Sequence, residues 1–227
     1  MNFEEERRRL VYLLKREGVI RSKDVEEAFL AIPREYFVPE HLRSYAYVDS
    51  PLPIGFGQTI SAPHMVAIMT EELDVQPGDT ILEVGTGSGY QAAILAYITS
   101  KGGGHVYTIE KIGALTKRAI QNIANALPNL LDFITFATGD GSKGLDIFAP
   151  FDKIIVTAAA PQIPEPLLKQ LKPGGKLVIP VGSKWEQILQ IVEKNAAGRI
   201  RIRNSVPCVF VPLIGEHGWR DEDLYIA

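Results

Sequence analysis

The sequence contains little cysteine and no long apolar run. Cys208 is the single cysteine among 227 residues, which excludes an intramolecular disulfide and a cysteine-rich metal site. No segment approaches the length of a membrane-spanning helix, and the opening MNFEEERRRL is charged where a secretory signal would be apolar. We therefore expect a cytoplasmic protein that does not interact with membranes.

The chain also lacks an excess of basic residues and several common catalytic patterns. Its formal net charge is −3 at pH 7, so it has no basic field and we do not expect nucleic acid as its partner. There are no paired catalytic acids, no HExxH metal-binding pattern and no Gly-x-Ser-x-Gly elbow. The sequence therefore predicts a site without a metal ion.

Beyond residue 78, apolar strand candidates alternate with helical segments. The strand candidates are residues 80–84, 105–110, 133–138, 153–159 and 176–181, and the helical patterns are 91–99, 112–127 and 166–171. Continuously apolar strands separated by helices indicate a parallel sheet covered on both faces. Two alternating strands flank the turn NAAG, so we expect a hairpin to complete the sheet in antiparallel orientation. The predicted fold class is α/β, a doubly wound and mainly parallel Rossmann-like sheet.

Two helices are predicted at the N-terminus. Charged residues alternate with leucines and a valine over residues 3–16, as in an amphipathic helix, and Gly18 follows as a stop signal. Ser22 is expected to cap a second helix, which Pro33 ends. These two segments form a helical N-terminal extension to the predicted sheet.

An irregular segment connects this extension to the sheet. Residues 45–63 are rich in glycine and proline, which indicates an ordered loop with short strands. A helix is predicted to follow over residues 63–73. We assign residues 1–75 to the extension with its loop and residues 76–227 to the core, and we expect both to form one compact unit.

The first predicted strand runs directly into three alternating glycines, Gly85, Gly87 and Gly89. Doubly wound sheets bind ligands beyond the carboxyl ends of their strands, and the first strand–helix turn is the usual place. A dinucleotide fingerprint has its third glycine one position later, where this chain has Tyr90, so the spacing counts against NAD without excluding it. Glu83 precedes the loop and suits a ligand with positive charge better than a pyrophosphate. S-adenosylmethionine carries both a sulfonium and an ammonium group.

Two further acidic residues follow the next two predicted strands. Glu110 ends the second strand, where a carboxylate can accept the ribose hydroxyls of an adenosine ligand. Asp140 follows the third strand beside Gly141 and could accept from an adenine amino group. Taken singly, Glu110 is also compatible with a solvated strand end and Asp140 with an Asp-Gly turn. Together with the glycine loop they predict an adenosine-binding site.

Several longer stretches resemble one family, the protein-L-isoaspartate O-methyltransferases. The stretches are DSPLPIGFGQTISAPHM, LEVGTGSGY, GDG, VTAAAPQIP, LKPGGKLVIPVG and FVPL. The resemblance extends from Val19 to Ile214 and implies an S-adenosylmethionine-dependent methyltransferase. Its expected reaction is methyl transfer to the α-carboxylate of L-isoaspartyl residues in damaged proteins and peptides, followed by closure to a succinimide that initiates their repair. The acidic balance and the stretch AAAP after the fourth strand disfavour a nucleic-acid partner, and we expect a monomer.

The resemblance also implies roles for individual residues. Ser61 would lie beside the acceptor carboxylate and act as the catalytic residue. The methionine end of the cofactor would lie among Thr59, Ile60 and His64. The loop around Ile54 and backbone groups of Val211 to Leu213 would hold the acceptor.

The expected chemistry needs no strong base. A carboxylate has an ordinary pKa of about 4, so it is already a nucleophile at neutral pH and needs only alignment with the methyl group. Ser61 has a second interpretation, because it precedes Ala62-Pro63 where a helix N-cap is common. The sequence leaves three alternative functions open: another S-adenosylmethionine enzyme acting on tRNA or a small molecule, an NAD-dependent oxidoreductase, and a non-catalytic S-adenosylmethionine-binding protein.

Overall fold

A computed structural model describes residues 2–220 and Glu222 and contains two sheets. The strands are β1 (Leu52–Gly55), β2 (Gln58–Ile60), β3 (Thr80–Val84), β4 (His105–Glu110), β5 (Ile134–Thr138), β6 (Phe151–Val156), β7 (Leu171–Gly182), β8 (Gln187–Lys194) and β9 (Ile200–Cys208). The large sheet has the order β5-β4-β3-β6-β7-β8-β9, and β1 pairs only with β2. Strands β3 to β7 are parallel, whereas β8 and β9 are antiparallel. The predicted doubly wound sheet and its C-terminal hairpin are confirmed.

The order of the strands determines where a ligand can bind. The chain enters the large sheet at β3, adds β4 and β5 on one side, and then adds β6 and β7 on the other. The direction of winding therefore reverses between β3 and β6. In doubly wound sheets the crevice outside the carboxyl ends at this reversal is the ligand site, and the glycine loop lies at this point because it directly follows β3.

The described residues contain six α-helices. They are α1 (Phe3–Arg16), α2 (Lys23–Ala31), α3 (Pro63–Leu73), α4 (Tyr90–Thr99), α5 (Gly113–Ala126) and α6 (Glu165–Gln170). The bounds predicted for the last three differ from these by no more than one residue. The side chain of Ser22 accepts a hydrogen bond from the Val25 amide at 3.3 Å, which confirms the predicted cap of α2. No helix among the described residues is long and apolar enough to span a membrane.

Helix α4 is apolar on all sides because it is enclosed on all sides. It packs against β3 and β4 on one side and against α2 on the other, and nearly all of its residues are buried. Helix α1 in turn packs on α2. The N-terminal helices thus cover the helix that follows the glycine loop, which brings residues 34–61 to the carboxyl edge of the sheet.

Two predicted strands have different bounds in the structure. The strand expected at residues 153–159 begins earlier and ends at Val156, because the Thr157 hydroxyl turns back to the carbonyls of Val84 and Gly85. The strand expected at residues 176–181 begins at Leu171, directly after α6, and Leu171 pairs with Phe151. Apolar periodicity misses this start because proline and two glycines interrupt it.

Candidate cofactor and acceptor site

Packing requires two of the three loop glycines. Gly85 has φ +98°, and a Cβ there would lie 2.3 Å from Thr157 Oγ1, which donates to the Gly85 carbonyl at 2.6 Å. A Cβ on Gly89 would lie 3.0 Å from the Cβ of Ala119 on α5. Gly85 and Gly89 therefore permit close contact with neighbouring elements, and Gly85 also lines the pocket described below.

Glu110 holds the middle of the loop from the end of β4. Its Oε2 accepts the Gly87 amide at 2.9 Å and its Oε1 accepts the Ile112 amide at 3.0 Å. Each carboxylate oxygen has two lone-pair sites, so each can accept one further hydrogen bond. Glu110 lines the pocket while being 8% exposed, an arrangement that suits a pair of ligand hydroxyls.

Glu83 lies behind the loop, and it does not line the pocket. The side chain is fully buried, its Oε2 accepts from Thr108 Oγ1 at 2.6 Å, and its Oε1 has no partner. Thr108 in turn is 2.6 Å from Thr86 Oγ1 in the loop. Burial raises the pKa of Glu83 to about 8, so the group is largely neutral at pH 7 and the charge argument made from the sequence loses its basis.

Asp140 connects the sheet to the C-terminal segment. Its Oδ1 accepts the amide and hydroxyl of Ser142 at 3.0 and 2.6 Å, and its Oδ2 accepts the Glu216 amide at 2.9 Å. Burial alone would raise the pKa of Asp140, but these hydrogen bonds outweigh it and hold the pKa below its ordinary value. The sequence carried no signal for residues 214–219, which fold back so that the Trp219 amide donates to the Leu213 carbonyl at 2.8 Å.

The segment before α3 is held through its backbone carbonyls. Arg34 donates from Nε to the Ala46 carbonyl at 2.9 Å and from Nη2 to the Ser61 carbonyl at 2.8 Å. Arg118 on α5 donates to the Ile54 carbonyl. Two arginines from distant parts of the chain thus fix the start, the hairpin and the end of this segment.

Ser61 is not the cap of α3, which corrects the second interpretation made from the sequence. The N-cap residue is Ala62, and it makes no side-chain capping bond. Instead the Asp49 carboxylate reaches across the loop and accepts the His64 amide at 2.9 Å. The same oxygen is 3.0 Å from His64 Nδ1, and 41% of the His64 side chain is exposed.

One pocket brings most of the sequence-predicted residues together. Those that line it are Thr59, Ile60, Ser61, Gly85, Gly87, Glu110, Gly141, Val211 and Leu213. Those outside its lining are Ile54, His64, Glu83, Gly89 and Asp140. The pocket also contains Thr86 within the glycine loop, Tyr90 and Gln91 at the start of α4, and Thr157 directly after β6. None of these residue types carries a ligand signal in the sequence. Within the described part of the chain no cluster of side chains could hold a metal ion.

Residues 211–213 reach the pocket by pairing with the loop after β6. The Ala159 amide donates to the Val211 carbonyl and the Leu213 amide donates to the Ala159 carbonyl, both at 2.8 Å. The Leu213 carbonyl is also occupied, by the Trp219 amide. The Val211 amide and the Pro212 carbonyl make no hydrogen bond among residues 2–220, and both residues line the pocket.

The fold and this pocket define the class of the protein. A doubly wound sheet with a glycine loop after β3 and acids after β4 and β5 is the architecture of S-adenosylmethionine-dependent methyltransferases. A structure described as a protein-L-isoaspartate O-methyltransferase from Plasmodium falciparum, in complex with S-adenosyl-L-homocysteine, is 30% identical. It superposes with a TM-score of 0.81 over 94% of this chain and 99% of that one.

The family model of protein-L-isoaspartate (D-aspartate) O-methyltransferases matches residues 5–218. A protein-L-isoaspartate O-methyltransferase of Staphylothermus marinus is 55% identical, over 96% of this chain and 98% of that protein. Its counterpart in Pyrococcus horikoshii is 53% identical, over 94% and 95%. The chain belongs to the protein-L-isoaspartate (D-aspartate) O-methyltransferase family.

Proposed function

We propose that the protein transfers a methyl group from S-adenosylmethionine to the α-carboxylate of L-isoaspartyl residues in proteins and peptides, and thereby initiates their repair through a succinimide. One observation carries this proposal beyond family membership. Ser61, which the resemblance places beside the acceptor carboxylate, lines the same pocket as the glycine loop and Glu110. A donor and an acceptor bound there would meet in one cavity.

The donor set of the pocket fits an adenosine ligand. Glu110 can accept two hydroxyls, and Gly85, Gly87 and Gly141 expose backbone beside it. We assign Thr59 and Ile60 to the methionine end, and Asp140 to a supporting position behind Gly141. When bound, S-adenosylmethionine supplies the methyl group: an O–CH3 bond forms to the acceptor as the S–CH3 bond breaks and its electron pair remains on sulfur.

The residues of the chain align the acceptor and exclude water. The acceptor carboxylate is ionised at neutral pH because its ordinary pKa is about 4, so no side chain needs to remove a proton. We assign its orientation to the Ser61 hydroxyl, the Val211 amide and the Pro212 carbonyl. Such backbone groups distinguish an isoaspartyl linkage from an aspartyl one by the position of the main chain relative to the carboxylate.

The proposal includes the setting in which the enzyme acts. Its partners are isoaspartyl-containing proteins and peptides, and we propose that it acts as a cytoplasmic monomer without nucleic acid. The net charge of −3 supports the last point, since a tRNA-modifying enzyme is expected to carry a basic surface.

Radiolabelled methyl transfer to an isoaspartyl peptide and to its aspartyl twin tests the proposal. We expect strong transfer to the first and almost none to the second. Single-turnover rates at saturating substrate should be nearly flat from about pH 6 to 8, because the acceptor titrates near pH 4. Equal transfer to both peptides, or a tenfold rise in rate per pH unit, would contradict it and favour a different acceptor.

A further inference from the structure

Arg34 is a buried cation, and the Asp49 carboxylate stabilises its charge only from beyond ion-pair distance. It lies in a 3₁₀ turn, Arg34–Tyr36, between α2 and the acceptor segment, which we define as residues 46–61, and its exposed fraction is 0%. Its hydrogen-bond acceptors are two backbone carbonyls, and Nη1 has no partner. No ion pair of Arg34 is found within the described residues.

A buried guanidinium with these partners is not an efficient way to stabilise a fold. Removing a guanidinium from water carries a penalty of several kcal/mol, and well-packed apolar side chains often replace buried charges with no loss. Two hydrogen bonds to carbonyls and one unused donor repay this penalty only in part. A role in positioning accounts for the residue better than a role in stability does.

The contacts of Arg34 join the two sides of the pocket. The guanidinium carbon lies 4.9 Å from the centre of the Tyr90 ring, within the range of a cation–π contact. Tyr90 is the first residue of α4, directly after the glycine loop, and Phe37 packs edge-on against its ring at 5.4 Å. The Nη2 of the same guanidinium donates to the Ser61 carbonyl at 2.8 Å. One planar group therefore touches the cofactor side through a ring and the acceptor side through two carbonyls.

We infer that Arg34 is a positioning residue for methyl transfer, which holds the acceptor segment in register with the helix that follows the glycine loop. The inference rests on the proposed function for its kinetic consequences. Arg34 fixes the main-chain carbonyl of Ser61. Because the hydroxyl belongs to the same residue, a shift of this carbonyl also displaces the hydroxyl that is assigned to the acceptor. The glycine loop keeps its own supports, Glu110 and Thr157, and does not need Arg34 for cofactor binding.

Arg34→Lys is the decisive variant, because an ammonium group is a point charge that cannot serve two carbonyls and a ring in the planar geometry of arginine. We expect kcat/KM for an isoaspartyl peptide to fall at least tenfold, while the Kd for S-adenosylhomocysteine measured by calorimetry changes less than threefold. Arg34→Met should lose more activity than Arg34→Lys, so that the retained charge gives partial rescue. Hydrogen exchange of residues 46–61 should accelerate in both variants.

Arg203→Lys is the matched control. Arg203 on β9 pairs with Glu72 on α3, the Arg203 side chain is 40% exposed, and neither residue lines the pocket. We expect it to lower Tm without changing peptide kinetics. If Arg34→Lys lowers Tm but leaves kcat/KM and the exchange of residues 46–61 at wild-type values, Arg34 is structural only and the inference is wrong. If the wild type itself does not methylate isoaspartyl peptides, the proposed function fails, and the exchange measurement still decides whether Arg34 holds the segment.

Discussion

The two sides of the pocket are built in different ways. On the cofactor side, the groups follow directly from strand ends: the glycine loop follows β3, Glu110 ends β4 and Asp140 follows β5. There the Glu110 carboxylate accepts the amides of Gly87 and Ile112, and the Asp140 carboxylate accepts those of Ser142 and Glu216. On the acceptor side, residues 46–61 are held by Arg34 and Arg118 through backbone carbonyls. The glycine loop is thus held by a side-chain carboxylate, whereas residues 46–61 are held by remote arginines that fix the main chain.

The largest effect that we expect on the cofactor side is a dependence of stability on pH. The pKa of Glu83 is about 8 when folded and near 4.5 otherwise. Because the folded pKa is the higher one, the stability that the protonated group contributes is complete below pH 4.5 and is lost as the pH rises towards 8. The free energy of unfolding of the ligand-free protein should fall by about 3 kcal/mol between pH 5 and 8, at up to about 1.4 kcal/mol per unit.

Glu83→Gln should remove this part of the pH dependence in denaturant titrations at pH 5, 6, 7 and 8. Glu72→Gln is the control, because the pKa of Glu72 is lowered: its pairing with Arg203 and Ser205 outweighs burial, which acts in the opposite direction. That variant should keep the loss towards pH 8. Parallel curves for wild type and Glu83→Gln would show that Glu83 is ionised in the folded protein and would remove the main asymmetry between the two sides.

The next largest effect concerns Glu110. Glu110→Ala removes a charged acceptor from two loop amides and from the ligand hydroxyls assigned to it, which we expect to weaken S-adenosylhomocysteine binding by about 2–3 kcal/mol. Calorimetry measures this directly, and circular dichroism should show that the fold is retained. Ser61→Ala, on the opposite side of the pocket, is the comparison and should bind with wild-type affinity. Unchanged affinity of Glu110→Ala would place the ribose elsewhere.

Ser61→Ala should have a smaller effect, confined to the reaction. Loss of one hydrogen bond to the acceptor is expected to lower kcat/KM about tenfold, or roughly 1.4 kcal/mol. Unfolding free energy should change by less than about 0.5 kcal/mol, because Ser61 does not cap α3. Ser22→Ala gives the reverse pattern, since Ser22 does cap α2: about 1 kcal/mol of stability is lost and activity is kept. If Ser61→Ala loses stability and keeps activity, the hydroxyl has no role at the acceptor.

The smallest effect is expected at His64. The side chain is half exposed and its ring contact is to Asp49, so His64→Gln should alter S-adenosylhomocysteine affinity and the methyl-transfer rate by less than about 0.5 kcal/mol. Asp49→Ala, which removes the acceptor for the α3 amide, should instead cost about 1 kcal/mol of stability. If His64→Gln weakens S-adenosylhomocysteine binding more than tenfold, His64 contacts the cofactor, and the cofactor side of the pocket then includes the start of α3.

The sequence alone predicted the sheet and the loop between β3 and α4, because the signals for these elements are local. Apolar runs, helical periodicity and glycine spacing act over a few residues, and they located the doubly wound sheet, the hairpin and the loop between β3 and α4. The positions of Glu110 and Gly141 at the pocket follow from the same logic, since parallel strands end at one edge. Even the cap at Ser22 is a contact across three residues.

Only the tertiary structure decided how residues 46–61 are held and which acids line the pocket. Arg34 reaches residues 12 and 27 positions away, and Arg118 reaches a carbonyl 64 positions away. These arginines donate to backbone carbonyls, which every residue has, so no residue pattern in the acceptor segment predicts the contacts. Two further contacts between a side chain and the backbone are equally hidden from the sequence. Asp49 accepts the His64 amide at the start of α3, and Asp140 accepts the Glu216 amide. Glu83 shows the complementary case: its place before the loop was evident, but its burial, and hence its charge, depends on the strands packed around it.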